Sequence, residues 1–481
     1  MCYAQQSMIF SSPIFVFGFL PLVFMLYYLS ARPYRNAILL ICSLLFYSWG
    51  EGERLAIMLL SISMNYATAL LTDRSSHPIA RKLWLAVGLA GNLGLLLYFK
   101  YTFFALTNLN ILAHSLGWNM FTIERIILPL GISFFTFQGI SYIVDVYRKS
   151  TPVQTNPFNL ALYITFFPQL IAGPIVRYHD ISLQLLHRNE NLSLFTSGIK
   201  RFITGLAKKV LIADTLAKVD DLLFSQSPES MGALLAWMGI IIAVIRVYYD
   251  FSGYSDMAIG MGRMFGFRLL ENFNFPLSVT SMRDLWTHWH ISLSNWFRDY
   301  LYVPLGGNRK GVVSTQFNLW LVFFLSGLWH GAEWTFVLFG AYHGIFMVAE
   351  RAGMEKWLKK IPGFLQNLYV WMVFSLGMVL FRSPDLSFAL TYAKQLFAWS
   401  TINPYHDVWI YLQPYFWAIA TVGFIFCYPL ARRVYSYSEN HFPKLIQARD
   451  VLVWMMYAIL FLTTIAGMAG SSYSPFIYFR F

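Results

Sequence analysis

Apolar segments separated by short polar connections run along most of this sequence. A helix that crosses a membrane needs about 20 mostly apolar residues, and shorter apolar helices are often re-entrant or lie in the membrane plane. The absence of long stretches that alternate polar and apolar residues argues against membrane β-strands. The pattern predicts an all-α polytopic membrane protein with about 10–12 membrane-embedded helices, some of them re-entrant or in-plane. The expected segments are 8–30, 37–49, 55–72, 83–99, 126–146, 159–176, 232–249, 317–329, 334–349, 365–381, 409–430 and 451–468.

Two segments have the spacing of amphipathic helices rather than of spans. The first, 199–210, is expected either to lie in the membrane surface or to pack as a solvated helix on the bundle. The second, 286–300, is expected to be in-plane or partly buried. Their apolar faces are formed by Ile199, Phe202, Ile203, Leu206 and Val210, and by Trp286, Trp289, Leu293, Trp296 or Phe297, and Tyr300. On the first helix the opposite side carries Lys200, Arg201, Lys208 and Lys209.

The composition supports the membrane class. Hydrophobic residues make up 57% of the 481 residues, and charged residues make up 12%, against about 25% in soluble domains. The net charge of +12 comes from lysines and arginines between the apolar segments, which suits contact with anionic membrane lipids. Without a basic–aromatic module, this charge does not predict a nucleic-acid partner. The three cysteines, Cys2, Cys42 and Cys427, define neither a disulfide framework nor a metal-ligand spacing.

Charge placement also predicts the topology. Connections rich in lysine and arginine alternate with connections that are poor in them, which places the N-terminus outside and the basic loops in the cytoplasm. The opening residues MCYAQQS lack the basic region of a signal peptide, so the first apolar segment is expected to be a retained span. Met8, where that segment begins, is an alternative start to Met1. Because the sequence shows no repeat and no long linker, residues 1–481 are expected to form one integral domain.

His330 is the most unusual polar residue in these apolar segments. Between 317 and 348 the only formally charged residue is Glu333, and glycines at 327 and 331 flank the histidine closely. If the segment enters the membrane near Gln316, a helix carries His330 about 21 Å inward, well inside a hydrocarbon core about 30 Å thick. An ionisable group at that depth is usually functional, and a neutral imidazole can accept a proton from a hydroxyl. The alternative is a structural histidine that bridges helices.

Two further histidines precede the aromatic segment 286–300. His288 and His290 are two residues apart, so a helix would present them on different faces and they could not both reach one atom. His290 can be either structural or functional, and His343 is expected to pack in the interior. The sequence contains no HExxH pattern, and we expect no metal site.

The stretch YYDFSGYSDM at 248–257 is a polar segment broken by glycine, and it is expected to be an insertion between apolar stretches. Asp250 and Asp256 could line a cavity or hold arginines such as Arg246 and Arg263. Ser255 sits in a sequence that just misses the nucleophile-elbow pattern, since Met257 replaces the final glycine. Ser255 is therefore not predicted to be a nucleophile.

One long motif resembles a known family. WHISLSNWFRDYLYVPLGGNR, followed by GLWHGAEWTFVLFGAYHG, is similar to the signature of the membrane-bound O-acyltransferase (MBOAT) family, in its bacterial branch that acetylates exported polysaccharides. The N-terminal MIFSSPIFVFGFLPLVFMLYYLS, FPQLIAGPIVRY, YYDFSGYSDMAIGMGRMFGFRLLENFNFP and the C-terminal SPFIYFRF fit the same branch, so the resemblance covers nearly the whole chain. It is a resemblance to membrane subunits of alginate O-acetylation, and those for peptidoglycan and cellulose are similar. His288 stands where such relatives often carry arginine.

The resemblance implies a helical membrane fold around a central tunnel, with 286–344 as the catalytic segment. It implies that His330 is the main catalytic residue and that His290 is a second functional histidine. It also implies acetyl-CoA as the cytoplasmic acyl donor, no permanently bound cofactor, and a location in the bacterial inner membrane. An esterase-like acetyltransferase outside the membrane is the implied partner, and it would complete transfer to the exported polysaccharide. The further residues expected at the site are Asn295, Arg298, Asp250, Ser255 and Trp329.

The predicted chemistry is acetyl transfer. His330 would act as general base toward a hydroxyl that attacks the thioester carbonyl, and His290 would orient the acceptor or stabilise developing charge. Lys208 and Lys209 could attract coenzyme A phosphates or lipid headgroups. The residues alone leave two alternatives: a transporter or flippase, because broken helices with polar residues at depth also occur in transporters, and a non-catalytic scaffold.

Overall fold

The computed structural model describes residues 8–122, 124, 126–171, 173–399, 413–441, 446–470 and 476. Over these residues the secondary structure is helical, apart from one isolated β-bridge between Phe273 and Trp289. The longer helices are Leu20–Leu29, Arg35–Glu51, Leu55–Arg74, Pro78–Leu96, Thr102–Ser115, Ile132–Arg148, Leu192–Ala207, Asp214–Ser225, Ala233–Met264, Val312–His330, Trp334–Ala349, Gly363–Arg382, Leu386–Gln395, Pro414–Phe426, Leu430–His441 and Ile446–Gly470. Shorter helices include Pro157–Thr165, Phe167–Leu170, Tyr178–Leu186, Met282–His288, Ile291–Phe297 and Glu355–Leu358.

Within the described ranges, six helical stretches are long and apolar enough to cross a membrane, and a bent pair of helices makes a seventh candidate. The six are Arg32–Arg74, Pro78–Ser115, Ala233–Met264, Val312–His330, Gly363–Arg382 and Asp450–Gly470, and the bent pair is Pro414–Phe426 with Leu430–Ser438. Shorter apolar helices such as Trp334–Ala349 account for other predicted segments. The predicted all-α polytopic membrane fold is confirmed.

The described residues form two compact units. The first comprises 8–198 and 258–270, and the second comprises 199–257 and 271–476. The segment 286–344 belongs to the second unit. The prediction of one integral domain over 1–481 stays a prediction. The opening residues MCYAQQS with Met1 and Cys2, the start of the predicted 409–430 segment and nearly all of SPFIYFRF lie outside the described residues.

Two predicted spans in the first unit have different boundaries in the structure. The segment 159–176 was expected to be one helix, but Pro157–Thr165 ends at Phe166 and only the four-residue helix Phe167–Leu170 follows. Pro168 lies in the first turn of this second helix, where its missing backbone N–H is tolerated, whereas inside one continuous helix it would remove a hydrogen bond and clash with the preceding turn. The helix predicted to cover 126–146 begins only at Ile132, after Gly131 adopts the left-handed conformation with φ 73°.

The predicted insertion at 248–257 is wrong. Helix Ala233–Met264 runs through it without a break over 32 residues. Its glycine serves close helix packing, since a Cβ atom at Gly253 would lie 2.8 Å from the carbonyl oxygen of Gly205. Gly205 belongs to the helix Leu192–Ala207, so two backbones meet at this point. The polar residues are tolerated because the helix is buried among partners rather than exposed to lipid.

The amphipathic segment 199–210 packs on that helix within the second unit. Phe202, Leu206 and Val210 are buried, as predicted for its apolar face. Its basic side does not simply face solvent, because Arg201 and Lys208 both form ion pairs with Asp256, at 2.6 and 2.7 Å. The contacts favour a helix packed on the bundle over one lying free in the membrane surface.

The helices Val312–His330 and Trp334–Ala349 form a tight hairpin that ends next to His330. A Cβ atom at Gly327 would lie 2.7 Å from Gly340 Cα, and one at Gly340 would lie 2.9 Å from Gly327 Cα. Such distances are shorter than a side chain allows, so both positions require glycine for the backbones to approach this closely. The hairpin thereby fixes where the turn at His330 sits.

Candidate active site

His330 is the last residue of helix Val312–His330 and is buried, with 6% of its surface exposed. The rings of Trp329, Phe339 and Phe381 surround it at centroid distances of 5.0, 6.0 and 5.8 Å. A cavity of about 10 Å³ touches the imidazole, which is room for about one water molecule. The remaining lining is apolar: Val247, Trp289, Phe339, Phe374, Met378 and Phe381. His330 therefore occupies a nearly dry site at a helix end rather than the middle of a span.

His290 breaks the helix that was expected over 286–300. It has φ 45°, a left-handed conformation that is unusual for a residue with a side chain, and it separates Met282–His288 from Ile291–Phe297. The chain on either side is held by backbone bonds, from Ile291 N to Asn272 O at 3.0 Å and from Asn274 N to His288 O at 3.0 Å. Backbone strain of this kind persists where surrounding structure enforces it, and it concentrates at functional sites.

The helix that leads to His290 is held by a buried carboxylate. Glu350 accepts hydrogen bonds from the backbone nitrogens of Met282 and Arg283 at 2.7 and 2.9 Å, and from the Tyr369 hydroxyl at 3.0 Å. A negative charge at a helix N-terminus is favourable because the terminal N–H groups lack partners within the helix. Glu350 thereby couples the end of the hairpin to the segment that carries His290.

The two histidines are brought together by Trp329. Its ring lies 6.1 Å from that of His290 and 5.0 Å from that of His330, measured between centroids. Phe251 packs edge-on against His290 at 4.6 Å. Burial, together with the neighbouring His330, lowers the pKa of His290 well below its usual value, so His290 is neutral at physiological pH. The cluster of His290, Trp329 and His330, hereafter the histidine cluster, lies entirely in the second unit.

The other predicted site residues are placed differently. Ser255 is buried and joins the cluster indirectly, since its hydroxyl accepts a hydrogen bond from Asn272, which in turn contacts His290. Asp250 is buried in an ion pair with Lys209 at 2.7 Å, and the side chain of Arg298 is 58% exposed beside Asp299. Asn295 is half-buried on the short helix after His290. The structure thus brings Trp329 and Ser255 to the histidines, whereas Arg298 lies at the surface.

Lys209, His288 and His343 each have contacts outside the histidine cluster. Lys209, expected to attract phosphates or headgroups, is buried between Asp250 and Asp214, and both pairs are 2.7–2.8 Å long. His288 lies at a helix end with its Nδ1 atom 2.8 Å from the Asp284 carbonyl oxygen. His343 is fully buried and packs against Phe339 at 4.7 Å and Trp286 at 5.1 Å, in agreement with the prediction that it packs in the interior.

Asn272 was missed by the sequence analysis, although it lies in the quoted segment ENFNFP. It is fully buried and bonds to His290, to Ser292 and to Ser255. The available signal was an uncharged amide between Glu271 and Phe273, four residues before Pro276. No periodicity links that amide to a histidine 18 positions later, because the contact depends on a bridge between two irregular segments.

The described residues also contain a larger cavity of about 370 Å³, away from the histidine cluster. It is lined by Val210, Leu211, Asp214, Thr215, Lys218, Val219, Gln413, Tyr415, Phe416, Gly467 and Gly470. Size alone does not identify the reactive centre, since the imidazole of His330 borders the smaller cavity. The central tunnel implied by the resemblance stays a prediction.

Comparison with known proteins is consistent with this site. The family model for MBOAT, the membrane-bound O-acyltransferase family, matches residues 147–383, which include both histidines. The chain is 38% identical over 491 residues to "Probable alginate O-acetylase AlgI" of Pseudomonas putida, covering 98% of this chain and 100% of the relative. It is 37% identical over 434 residues to "Peptidoglycan O-acetyltransferase" of Helicobacter pylori, covering 83% and 81%. It is 30% identical over 258 residues to "Teichoic acid D-alanyltransferase" of Bacillus subtilis, covering 51% and 64%.

Proposed function

Because this chain belongs to the membrane-bound O-acyltransferase family and is therefore an O-acyltransferase, we propose that it supplies acetyl groups for O-acetylation of an exported polysaccharide. The donor is acetyl-CoA from the cytoplasm, the membrane is the bacterial inner membrane, and the N-terminus is outside. Two relatives named for alginate and peptidoglycan acetylation support the class of acceptor. An alginate-like exopolysaccharide is the first candidate, and peptidoglycan is the second because of the likeness to the Helicobacter pylori protein.

The observation that carries this proposal is the buried histidine cluster. The imidazole of His330 borders a cavity of about 10 Å³, and in its unprotonated form it can accept the proton of a hydroxyl when that oxygen attacks the thioester carbonyl. The C–O bond forms, the C–S bond breaks, and the proton taken by the imidazole passes to the departing thiolate. Such general-base catalysis contributes about 10²–10⁴-fold to a rate. His290 assists at the same site.

The acceptor hydroxyl belongs to a carrier that faces outward. In this scheme a partner acetyltransferase outside the membrane receives or completes the transfer, and the polysaccharide is modified there. Placing the bases in a dry interior protects the thioester from hydrolysis, since water that reached the carbonyl would compete with the acceptor.

The direct test replaces His330 with alanine or glutamine in the full-length protein. Acetyl transfer from labelled acetyl-CoA to the exported polymer is measured in cells that carry the partner proteins, and detergent extraction confirms that each variant is expressed and monodisperse. We expect a loss of about 10²-fold or more in both variants. His288→Ala, two residues from His290 but bonded to the Asp284 carbonyl, is the matched control and should stay active. Full activity of a folded His330→Ala protein would refute the assignment.

A further inference from the structure

Asn272 hydrogen-bonds to two other parts of the chain, the segment that carries His290 and Ser292 and the helix that carries Ser255. Its Oδ1 atom faces the Ser292 backbone nitrogen at 3.2 Å, Ser292 Oγ at 2.9 Å and His290 Nδ1 at 3.2 Å. Its Nδ2 atom donates to Ser255 Oγ at 3.1 Å. All four side chains are at least 98% buried, so these bonds form away from water. Both ends of the amide are therefore occupied by polar groups, the oxygen by His290 and Ser292 from one chain segment and the nitrogen by Ser255 from another.

The orientation of this amide follows from a single contact. A backbone N–H can only donate, so the atom of Asn272 that faces Ser292 N must be the carbonyl oxygen. His290 Nδ1 faces that same oxygen, which only accepts, so Nδ1 must carry the hydrogen. In a neutral imidazole one ring nitrogen is a donor and the other an acceptor. The lone pair of His290 is then on Nε2.

We propose that Asn272 is a positioning residue for acyl transfer, which holds His290 as the Nδ1–H tautomer with its lone pair on Nε2. The catalytic meaning of this role rests on the proposed function. In this tautomer Nε2 accepts a hydrogen bond and cannot donate one. His290 therefore orients a hydroxyl by accepting its hydrogen, and it does not stabilise a developing oxyanion through Nε2. This decides between the two roles that the sequence left open for His290.

The surroundings of His290 support a fixed tautomer. Phe251, Phe273 and Trp329 contact the ring from three elements and leave it no room to exchange partners with solvent. Among the described residues, the titratable group that acts electrostatically on His290 is His330, from the helix Val312–His330. The left-handed backbone at His290 adds to this, because it sets the direction in which the side chain leaves the chain.

The first test compares three variants of the full-length protein for acetyl transfer as a function of pH. Asn272→Leu keeps the volume but removes the acceptor, and we expect activity to fall about 10- to 100-fold, as is typical when a partner that orients a functional histidine is lost. Asn272→Asp keeps an acceptor for Nδ1–H and adds a negative charge, which raises the pKa of His290. We expect its activity to exceed that of Asn272→Leu at alkaline pH, with the acidic limb of the profile moved to higher pH. Ser292→Ala removes one donor to the same oxygen and should stay close to wild type.

The second test reads the tautomer without any activity. Nitrogen NMR of ring-labelled histidine in the membrane-reconstituted protein should show an Nδ1-protonated neutral ring whose signals disappear in His290→Gln. We expect the same pattern in Ser292→Ala and its loss in Asn272→Leu. An Nε2-protonated His290 in the wild type would overturn the proposal. So would an Asn272→Asp protein that is as inactive as Asn272→Leu at every pH, because a merely structural amide would give that result. If wild-type protein transferred no acetyl group, the proposed function would fail while the NMR result on the tautomer would stand.

Discussion

The strongest prediction about stability concerns Arg246, which is buried within the helix Ala233–Met264. Its guanidinium pairs with Asp220 and, at 2.7 Å, with Asp221, while Arg382 lies 3.1–3.2 Å from the same two carboxylates. Arg246 is 2% exposed and Asp220 is fully buried. Two positive and two negative charges thus balance where helices Asp214–Ser225, Ala233–Met264 and Gly363–Arg382 meet.

The change Arg246→Met removes one positive charge and leaves two carboxylates to share Arg382. Breaking a buried ion pair by removing one partner costs about 3–5 kcal/mol, because the remaining charge is neither solvated nor neutralised. Replacing Asp220 as well restores the balance, since Asp221 and Arg382 still form one pair. We therefore expect the double variant Arg246→Met with Asp220→Leu to be more stable than Arg246→Met alone, with a coupling free energy of about 0.5–3 kcal/mol or more between the two sites.

The measurement is unfolding of the purified protein in mild detergent, followed by tryptophan fluorescence against temperature and against added denaturing detergent. The matched control is Arg283→Met, because Arg283 pairs with Glu355 at 3.1 Å but its side chain is 61% exposed. Exposed pairs contribute about 0–1 kcal/mol, so this variant should unfold close to wild type. Equal stability of Arg246→Met and wild type, or simple additivity in the double variant, would refute the electrostatic reasoning.

Two further predictions concern the hairpin and the first unit. Gly340→Ala places a Cβ atom 2.9 Å from Gly327 Cα, so we expect overpacking to lower the free energy of unfolding by about 1–3 kcal/mol and to reduce acetyl transfer by moving His330. The control is Gly363→Ala, whose added Cβ atom would meet nothing within 4 Å. Unchanged activity in Gly340→Ala would contradict the close-packing argument. Hydrogen bonds to Asp145 and Asp180 raise the pKa of His179 to about 9, so the folded state favours the protonated ring, and this stabilisation is present below pH 6.5 and lost as pH rises through 9. The thermal midpoint of unfolding should therefore fall as the pH rises from 6.5 to 9. The fall should be less steep than for a fully buried group, because 36% of the His179 side chain is exposed. A His179→Gln protein whose midpoint falls with the same slope would contradict the assignment of this pH dependence to His179.

The apolar pattern predicted the helices better than it predicted their boundaries. Hydrophobic periodicity reports which segments avoid water, and that was sufficient to locate the helices Leu55–Arg74, Trp334–Ala349 and Gly363–Arg382 within a few residues. The apolar pattern failed at 248–257, because the local sequence of polar residues that are paired inside a bundle looks the same as that of a loop. Asp256 looks exposed in the sequence but is neutralised by Arg201 and Lys208. Ion pairs between distant segments are not visible to a local pattern.

Like the helices, the residues of the histidine cluster could be predicted from the sequence only in part. Isolation in an apolar segment was enough to single out His330, and the family motif added His290 and Trp329. The sequence could not show that His290 would adopt φ 45° or that Asn272 would face it, because both depend on the bridge between Phe273 and Trp289. It also suggested Arg298 by proximity along the chain, and the structure places that side chain at the surface. Proximity along the sequence does not predict proximity in space where two short helices meet at a sharp break.

The thioester donor that we propose is consistent with the chemistry of the histidine cluster. His290 presents a lone pair on Nε2 under the proposed tautomer, and its lowered pKa keeps it neutral, so it is a poor acid for a leaving group. A thiol with a pKa of about 8.5 can leave as its thiolate with little help, whereas an alkoxide or an amine could not. The acid available to the departing atom is then His330, which carries the single proton that it took from the hydroxyl, so the site matches a donor with a good leaving group. Replacing the thioester of the donor with an oxygen ester should then abolish transfer while leaving binding intact, and efficient turnover of the oxygen ester would contradict the proposed thioester donor.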